Sequence, residues 1–554
     1  MKNKSVSQHA FSLVPKINKP RSVFNRSHGY KTVMDSDYLV PFYFEGSVLP
    51  GDSVNLRHSV LIRLLSPAVK PLMDNLHFDW FYFFVPHRLV WSNFQKFMGE
   101  QASPADSISY TIPQCTGPNV AAGGIVVGTL HDYFGLPVGA LSGGGGTTGV
   151  TFNNFLPRSY NKIFMDWFKD ENLQNTVTLD VGDGPDTFTN YALLKRGKRF
   201  DYFTSALPAL QKGTAVSLSL GTSAPVKTQS TPTVSGSQTA IRFYDNVGNA
   251  PPTNFAIGIL NDGSNRLNTS ATAIVTGAGS QLYPNNLYAD LSTATSSTIN
   301  DLRQSIALQQ FLENDARGGT RYTEIVRQRF GVTSPDARLM RAELLSLGST
   351  DIKVSAVPQT TQAASPTVID GLANLGAFAT GGDVGNGFSK SFTEHGCIIG
   401  LCMVRADLTY SQGQDRHWSY RTRYDLYNPE FANLGEQSIL NREIFANVPD
   451  GTSSVQKDGT FGYQERYGEY RYSRSMITGK LRPGVTGTLN VWHLSEEFGS
   501  LPTLGSTFIV SSTITPLDRA IAVPAEPQWL LDCYFDDKWA RVMPTFGVPG
   551  LLKL

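Results

Sequence analysis

The chain has 554 residues, of which 40% are hydrophobic and 17% are charged. This length exceeds what a single hydrophobic core usually organises, and the composition excludes an acidic disordered protein and a coiled coil. The abundance of aromatic residues, together with 51 Gly and 31 Pro, favours many short strands joined by turns and long loops.

The first 31 residues form a basic arm on a mildly acidic body. They hold seven of the 47 lysines and arginines and no acidic residue, so the remainder has 40 basic against 46 acidic residues. Pro15 and Pro20 predict an extended arm rather than a helix. A solvated terminus is an equal alternative to a role in binding nucleic-acid phosphates. The candidate DNA contacts in the arm are Lys2, Lys4, Lys16, Lys19, Arg21, Arg26 and Lys31.

The segment after the arm has the pattern of strands and turns. Short apolar runs between Tyr38 and Leu65 are interrupted by prolines, which predicts strand, turn and strand. Leu76–Pro86 is apolar on one face, and on both faces in its second half. This predicts a sandwich strand that a loop or a neighbouring chain covers. Two aromatic helices are predicted next, one ending before Gly99 and one near residues 163–168.

Composition divides the rest of the chain. Residues 32–212 form the first part of the body, with a glycine-rich loop at 135–149. Residues 213–300 contain only six charged side chains among many Ser, Thr, Asn, Gly and Pro, which predicts an inserted β-rich subdomain or projection. Residues 301–554 begin with a helical segment and return to strands and turns.

Two helices are predicted after the insertion. The first covers Asp301–Asn314, with a broad apolar face and Asn300 as its N-cap. The second extends to Phe330 and is closed by Gly331.

Catalytic and metal-binding motifs are weak. The glycines of residues 144–149 match a dinucleotide fingerprint, but no strand precedes them and no helix follows, which favours a loop. Cys397 and Cys402 lie close to His395 and raise the question of a metal site. Their segment has the pattern of a buried strand, so thiol packing is the favoured interpretation. We predict a protein without catalytic residues, cofactor, metal or membrane insertion.

Two clusters combine arginines with aromatic rings. In residues 416–424, acidic side chains stand only at the edges, and such a cluster can stack bases and neutralise a single strand. In residues 463–474, interleaved glutamates would repel phosphates, which favours a subunit interface. The candidate DNA contacts of the first cluster are Arg416, Trp418, Arg421 and Arg423. The candidate interface residues of the second are Tyr463, Arg466, Tyr467, Tyr470, Arg471 and Tyr472.

Several long motifs stand out in the sequence, among them RSVFNRSHGYKT at 21–32, LPGD at 49–52, RGKRFDYFTS at 196–205 and FGYQERY at 461–467. Together these motifs resemble the major capsid protein of small single-stranded DNA phages, the Microviridae. The resemblance covers the chain from about residue 20 to its end, apart from variable loops. The insertion 213–300 resembles that of the gokushovirus branch.

The resemblance implies a fold and an assembly. The fold is an eight-stranded antiparallel jelly-roll β-sandwich with long loop insertions and a few short helices. Sixty identical chains would form a T=1 icosahedral shell around a circular single-stranded DNA genome, assembled in the bacterial cytoplasm. The insertion 213–300 would form a protrusion at the threefold axes that takes part in host attachment, through a possible surface receptor.

The charge of the arm adds an expectation of its own. Seven cations per arm amount to 420 in sixty copies, whereas a genome of several kilobases carries thousands of phosphates. We therefore predict a separate small basic DNA-binding protein, or polyamines, inside the particle. The alternative function is a carbohydrate-binding or carbohydrate-degrading β-sandwich, which would need a facing pair of carboxylates if it were a glycosidase.

Overall fold

The computed structural model of the chain contains two compact units, residues 1–210 with 317–554 and residues 211–316. The residues that the structure describes are 20–139, 143–144, 148–214, 216, 226–228, 243–245, 257–259, 267–269, 282–284, 287–289, 299–318, 322–331, 340–360, 374–449 and 453–546.

The larger unit is built on one curled antiparallel sheet of nine strands. Buried and exposed residues alternate along several of these strands, as expected where one face of a sheet lies on the core. The strands are β1 (Ser22–Asn25), β2 (His28–Met34), β3 (Val40–Val48), β4 (Ser53–Leu64), β5 (Leu76–Pro86), β6 (Glu343–Pro358), β7 (Leu375–Ser391), β8 (Gly396–Ala406) and β9 (Trp529–Arg541).

The pairing of these strands is that of a jelly roll. Strands β2, β9, β4 and β7 are neighbours in that order, and so are β6, β5, β8 and β3. The long strands β6 and β7 pair with each other and connect the two groups of four. The predicted eight-stranded jelly-roll β-sandwich is therefore confirmed, with β1 as a short ninth strand that also pairs with β9.

Aromatic rings fill the core between the two groups of strands. The Phe42 ring lies 5.5 Å from the Tyr82 ring and 5.6 Å from the Phe535 ring, measured between centroids. Trp529 and Trp539 from β9 are completely buried beside them. Rings of this size bury large apolar areas, so these strands supply most of the apolar packing of the sandwich.

A second core lies on the outer face of β5 and β8. Phe83 of β5 and Ile399 of β8 are buried there against Tyr160 and Ile163, which belong to the chain segment between β5 and β6. The sequence predicted that either a loop of the same chain or a neighbouring chain covers β5. The structure shows that a segment of the same chain covers it.

A buried ion pair stabilises this cover. The Arg158 guanidinium donates to both carboxylate oxygens of Asp186, at 2.7 and 2.6 Å, and to the Val90 carbonyl at 2.8 Å. Arg158 is completely buried. Bidentate pairing of this kind compensates for the loss of hydration of both charges.

Among the residues that the structure describes, helices are few and mostly short. The α-helices are α1 (His87–Val90), α2 (Phe94–Phe97), α3 (Leu130–Tyr133), α4 (Phe155–Ile163), α5 (Ile299–Arg317), α6 (Tyr322–Phe330), α7 (Asn441–Ile444), α8 (Ser506–Ile509) and α9 (Ile514–Ala520). A π-helical turn continues α4 at Phe164–Phe168, and 3₁₀ turns occur at Val120–Ala122, Phe188–Asn190, Arg416–Ser419, Pro429–Phe431, Gly468–Tyr470, Gly479–Leu481 and Asn490–Trp492.

The predicted helices are found with altered bounds. The helix expected before Gly99 is divided into α1 and α2, and Gly99 has a φ of 103°, which favours glycine. Gly331 ends α6 with a φ of 67°. The prediction of Asn300 as an N-cap was wrong, because α5 already begins at Ile299. Helix boundaries depend on a few capping contacts, which the periodicity of a sequence does not resolve.

A third core supports the loops after β8. Ile439, Phe461 and Phe508 pack together there with other buried residues. Strands Glu436–Leu440 and Thr460–Glu465 pair above it. This core positions the two clusters of arginines and aromatic rings.

In the smaller unit, three pairs of short antiparallel strands are nested within one another. Their pairings are Val226–Thr228 with Leu287–Ala289, Phe243–Asp245 with Leu282–Pro284, and Ile257–Ile259 with Leu267–Thr269. That this unit projects from a particle stays a prediction.

The glycine-rich loop predicted at 135–149 is described only in part. Gly143–Gly144 pairs with Thr148–Gly149, and residues 140–142 and 145–147 lie outside the described residues. A further small pair joins Gln114–Thr116 to Thr151–Asn153.

Candidate subunit and nucleic-acid contact surface

From Ser22 onward, the predicted basic arm is part of the sheet. The Arg21 guanidinium donates to the Ser53 hydroxyl at 2.6 Å. Arg26 forms an ion pair with Glu45, and its guanidinium lies 5.0 Å from the centre of the Trp539 ring. Lys2, Lys4, Lys16 and Lys19 lie outside the described residues.

Lys31 is the last cation of the arm and faces solvent. Its side chain is 76% exposed, and its ammonium lies 3.3 Å from the Asp532 carboxylate. An exposed pair of this kind is weak and leaves the ammonium open to other anions.

The clusters at residues 416–424 and 463–474 lie side by side. The Tyr420 hydroxyl donates a hydrogen bond to Glu469 at 3.1 Å. We give the name aromatic surface to the exposed tyrosine, tryptophan and arginine side chains of both clusters and of the loop between them. Its members are Trp418, Arg421, Arg423, Tyr424, Tyr427, Tyr470, Arg471 and Tyr472.

Arg416 lies beneath this surface and is committed to carboxylates of its own chain. Its guanidinium is 3.0 Å from Glu443 and 3.7 Å from Glu469, and it donates to the Ser438 carbonyl at 2.6 Å. Burial raises the pKa of Glu443, while the charge of Arg416 acts in the opposite direction. Arg416 therefore anchors the loop, whereas its neighbours face solvent.

Trp418, Arg421 and Arg423 are the accessible residues of the first cluster. Trp418 is 71% exposed. The Arg423 guanidinium lies 4.9 Å from the centre of the Tyr424 ring. Asp425 accepts the backbone N–H groups of Arg421 and the next residue, at 2.9 and 2.7 Å, and these hydrogen bonds lower the pKa of Asp425. The Asp425 carboxylate thus holds the turn that carries the two arginines.

The second cluster is partly buried. Tyr467 is buried in a left-handed backbone conformation, with a φ of 60°. The Arg466 guanidinium lies 5.1 Å from the centre of its ring. Tyr463 joins the backbone of Leu207 through two hydrogen bonds of 2.7 and 2.8 Å. Tyr463, Arg466 and Tyr467 therefore stabilise the loop from its buried side.

The remaining members of the second cluster face solvent. Tyr470 and Tyr472 are about half exposed, and Arg471 forms an exposed ion pair with Glu465. The Tyr470 hydroxyl accepts the backbone N–H of Tyr427 at 3.3 Å, which joins the loop to the cluster.

A cleft of about 480 Å³ opens between the clusters, and charged groups that line it are paired within the chain. Arg416 pairs with Glu443 as described, and Arg474 pairs with Asp415. The cleft therefore contributes aromatic area, and no unpaired charge, to the aromatic surface. Exposed tyrosine, tryptophan and arginine side chains are the residue types enriched in protein interfaces.

The described part of the chain offers no cluster of three or more His, Cys, Asp or Glu side chains that could hold a metal ion. Cys397 packs in the core outside β8 and Cys402 in the core between the sheets, so they lie on opposite faces of the strand. Among the described helices, none is long and apolar enough to cross a membrane.

The pairing of Arg416 with Glu443 was missed by sequence reasoning. The two residues are 27 positions apart, Arg416 in a 3₁₀ turn and Glu443 in helix α7. The pattern of arginines and rings around residue 416 carries no signal for a partner at that distance.

Comparison with known proteins places the chain in a family. A model of the family described as Capsid protein (F protein) matches residues 12–551. Capsid protein VP1 of Bdellovibrio phage phiMH2K is 42% identical over 98% of each chain. Capsid protein VP1 of Chlamydia phage 1 is 39% identical over 99% of each chain, and that of Spiroplasma virus 4 is 34% identical over 99% of this chain and 98% of its own. The expected resemblance is thus confirmed, and the chain belongs to the capsid protein (F protein) family of the Microviridae.

Proposed function

We propose that this capsid protein assembles as sixty identical copies into a T=1 icosahedral shell around a circular single-stranded DNA genome. The observation that carries the proposal is the aromatic surface, which is exposed in a single copy of the chain. The chain belongs to a family of capsid proteins, so other copies are available to cover this surface. Exposed aromatic patches of this kind are costly in an isolated protein and mark interaction sites.

The aromatic surface is assigned to subunit contact as a whole. Its two clusters are continuous, so one partner would cover both. Arg421, Arg423 and Arg471 are offset by Asp425, Glu430 and Glu465 in the same region, which leaves little net charge for phosphates. A protein partner therefore fits better than DNA, and this revises the nucleic-acid role predicted for Trp418, Arg421 and Arg423.

Further partners follow from the same function. The arm cations and a small basic protein or polyamines would neutralise the genome, because the arms alone carry too little charge. Residues 213–300 would form a protrusion at the threefold axes that contacts a host receptor. The protein is a component of the virion, would assemble in the host cytoplasm, and has no enzymatic role in this proposal.

Substitution of two tyrosines tests the assignment of the surface. We expect Tyr470→Ala combined with Tyr472→Ala to lower the yield of shells at least tenfold, because interface tyrosines are frequent hot spots. Shells are measured by sedimentation and electron microscopy of extracts from cells that make the phage proteins. Phe546→Ala is the control, since Phe546 is 80% exposed and belongs to neither cluster.

Two outcomes would contradict different parts of the proposal. If the double variant assembles as well as the control, the aromatic surface is not a subunit contact. If the unchanged chain remains a monomer in every extract, the sixty-copy shell itself is wrong. Circular dichroism of the variants confirms that they are folded.

A further inference from the structure

One broad face of the jelly roll is left open by the described residues. The outer face of β5 and β8 is covered by the chain's own second core. On the opposite group of strands, the outward side chains remain accessible: Leu61 of β4 is 54% exposed, Tyr534 of β9 is 55% exposed and Val384 of β7 is 77% exposed. We name the outward residues of β2, β9, β4 and β7 the open face.

The register of the strands brings basic side chains together on the open face. Every second residue of β4 is buried, so Arg57 and Arg63 both point outward, six positions apart, which is about 20 Å along a strand. Lys31 of β2 lies opposite Asp532 of β9. Lys538 lies further along β9 on the same side.

The charge of the open face is positive. Four cations, namely Lys31, Arg57, Arg63 and Lys538, stand against two carboxylates, Asp532 and Asp536. Each carboxylate lies beside a lysine, at 3.3 Å from Lys31 and 3.4 Å from Lys538. Arg57 and Arg63 have no ion-pair partner among the described side chains. Asp536 lies opposite Arg57 in the register, but the two form no ion pair. The face thus carries two guanidinium groups outside the ion pairs, although the whole chain has a net charge of only +1.

An aromatic ring stands between these cations. Tyr534 lies opposite Gly29 on β2 and opposite Ser59 on β4. Because both cross-strand neighbours are small, the phenol ring projects above the sheet surface and remains accessible to a planar partner. Cationic groups combined with an accessible ring are the elements of sequence-independent binding to single strands.

We propose that the open face binds single-stranded nucleic acid, with Arg57, Arg63 and Lys31 contacting phosphates and Tyr534 stacking on a base. The inference deepens the proposed function, because it assigns the surface that faces the genome inside the shell. A second copy of the chain fits less well, since the centres of protein interfaces are depleted of charged residues. Four cations on this face favour a polyanion instead.

Titration of the unassembled chain with a fluorescent oligothymidylate tests the proposal. We expect Arg57→Ser combined with Arg63→Ser to weaken binding at least tenfold at about 0.1 M salt. The slope of log affinity against log salt should become shallower by about 1.4, since each phosphate contact to a single strand contributes about 0.7. The control is Lys96→Ser with Lys480→Ser, which removes the same charge from exposed positions outside the open face.

A second pair of variants tests the ring. Tyr534→Ala should weaken binding about tenfold, whereas Tyr534→Phe should bind as the unchanged chain does, because stacking needs the ring and not the hydroxyl. Circular dichroism verifies the fold of each variant.

The possible failures are distinguishable. If the arginine variant and the lysine control lose affinity and slope equally, or if the unchanged chain does not bind the oligonucleotide, the open face is not a nucleic-acid site. If the arginine variant binds DNA normally but forms no shells, the face is a subunit contact and the inference is wrong. Neither result removes the sixty-copy shell, which is tested by sedimentation of the unchanged chain.

Discussion

At the scale of single residues, charge and burial decide what each arginine does. Arg158 and Arg416 both pair with carboxylates inside the chain, whereas Arg57 and Arg63 point to solvent. A buried pair tolerates little change, because removing one partner leaves an uncompensated charge. The same residue type therefore has a structural role in two positions and remains available for a ligand in the others.

His131 gives a prediction about pH at this scale. Its ring is buried and stacked at 4.1 Å on the Phe188 ring, and neither nitrogen has a hydrogen-bond partner among the described residues. Burial lowers its pKa to about 4. The unfolded chain takes up a proton below a pKa of about 6.5 while the folded chain does not, so stability is lost as the pH falls through this range.

Replacing the histidine should remove that loss. Between about pH 7.5 and about pH 5, the unchanged chain should lose about 2 kcal/mol of its free energy of unfolding through His131. We expect His131→Phe to lack this loss. Urea unfolding of the unassembled chain at both pH values measures the difference. His417→Phe, which replaces an exposed histidine in the same way, is the control. An equal pH dependence for His131→Phe and the unchanged chain would contradict the assignment.

At the level of single strands, the alternation of apolar and polar residues predicts which side chains are exposed only when one face of the strand is covered. Strand β4 alternates strictly and has one exposed face. Strand β5 is buried along nearly all of its length, because the helix α4 and its neighbours cover its outer face. The doubly apolar pattern of β5 indicated a cover, and only the fold shows that the chain itself supplies it.

A glycine in β6 allows two strands to pack closely around a large ring. Gly348 lies directly opposite Trp80 of β5, and a Cβ atom added at Gly348 would overlap the indole ring. We expect Gly348→Ala to destabilise the fold by about 1–3 kcal/mol, the usual effect of overpacking. Gly376→Ala is the matched control, since its added Cβ would have an ordinary contact at 3.7 Å. Thermal unfolding of both variants measures the difference, and equal stability would show that the indole ring moves at no cost.

At the scale of the whole molecule, the three cores are independent of the smaller unit. Their described residues all come from outside residues 211–316. We therefore expect a chain in which residues 213–300 are replaced by a short glycine-serine linker to keep the jelly roll folded. Circular dichroism and thermal unfolding measure this, with a melting temperature within a few degrees of that of the full chain. Global unfolding of the shortened chain would contradict the division into two units.

Sequence patterns alone were enough to predict the family, the β-rich class and the positions of several strands. Ordered motifs such as those at 21–32 and 461–467 are local, and so are the alternating patterns of strands, so both can be recognised without a structure. Which surfaces are covered and which charges stay unpaired became visible only in the folded chain. The partner of Arg416, the cover over β5 and the exposure of Arg57 all depend on contacts between segments far apart in the chain, and local patterns carry no information about such contacts.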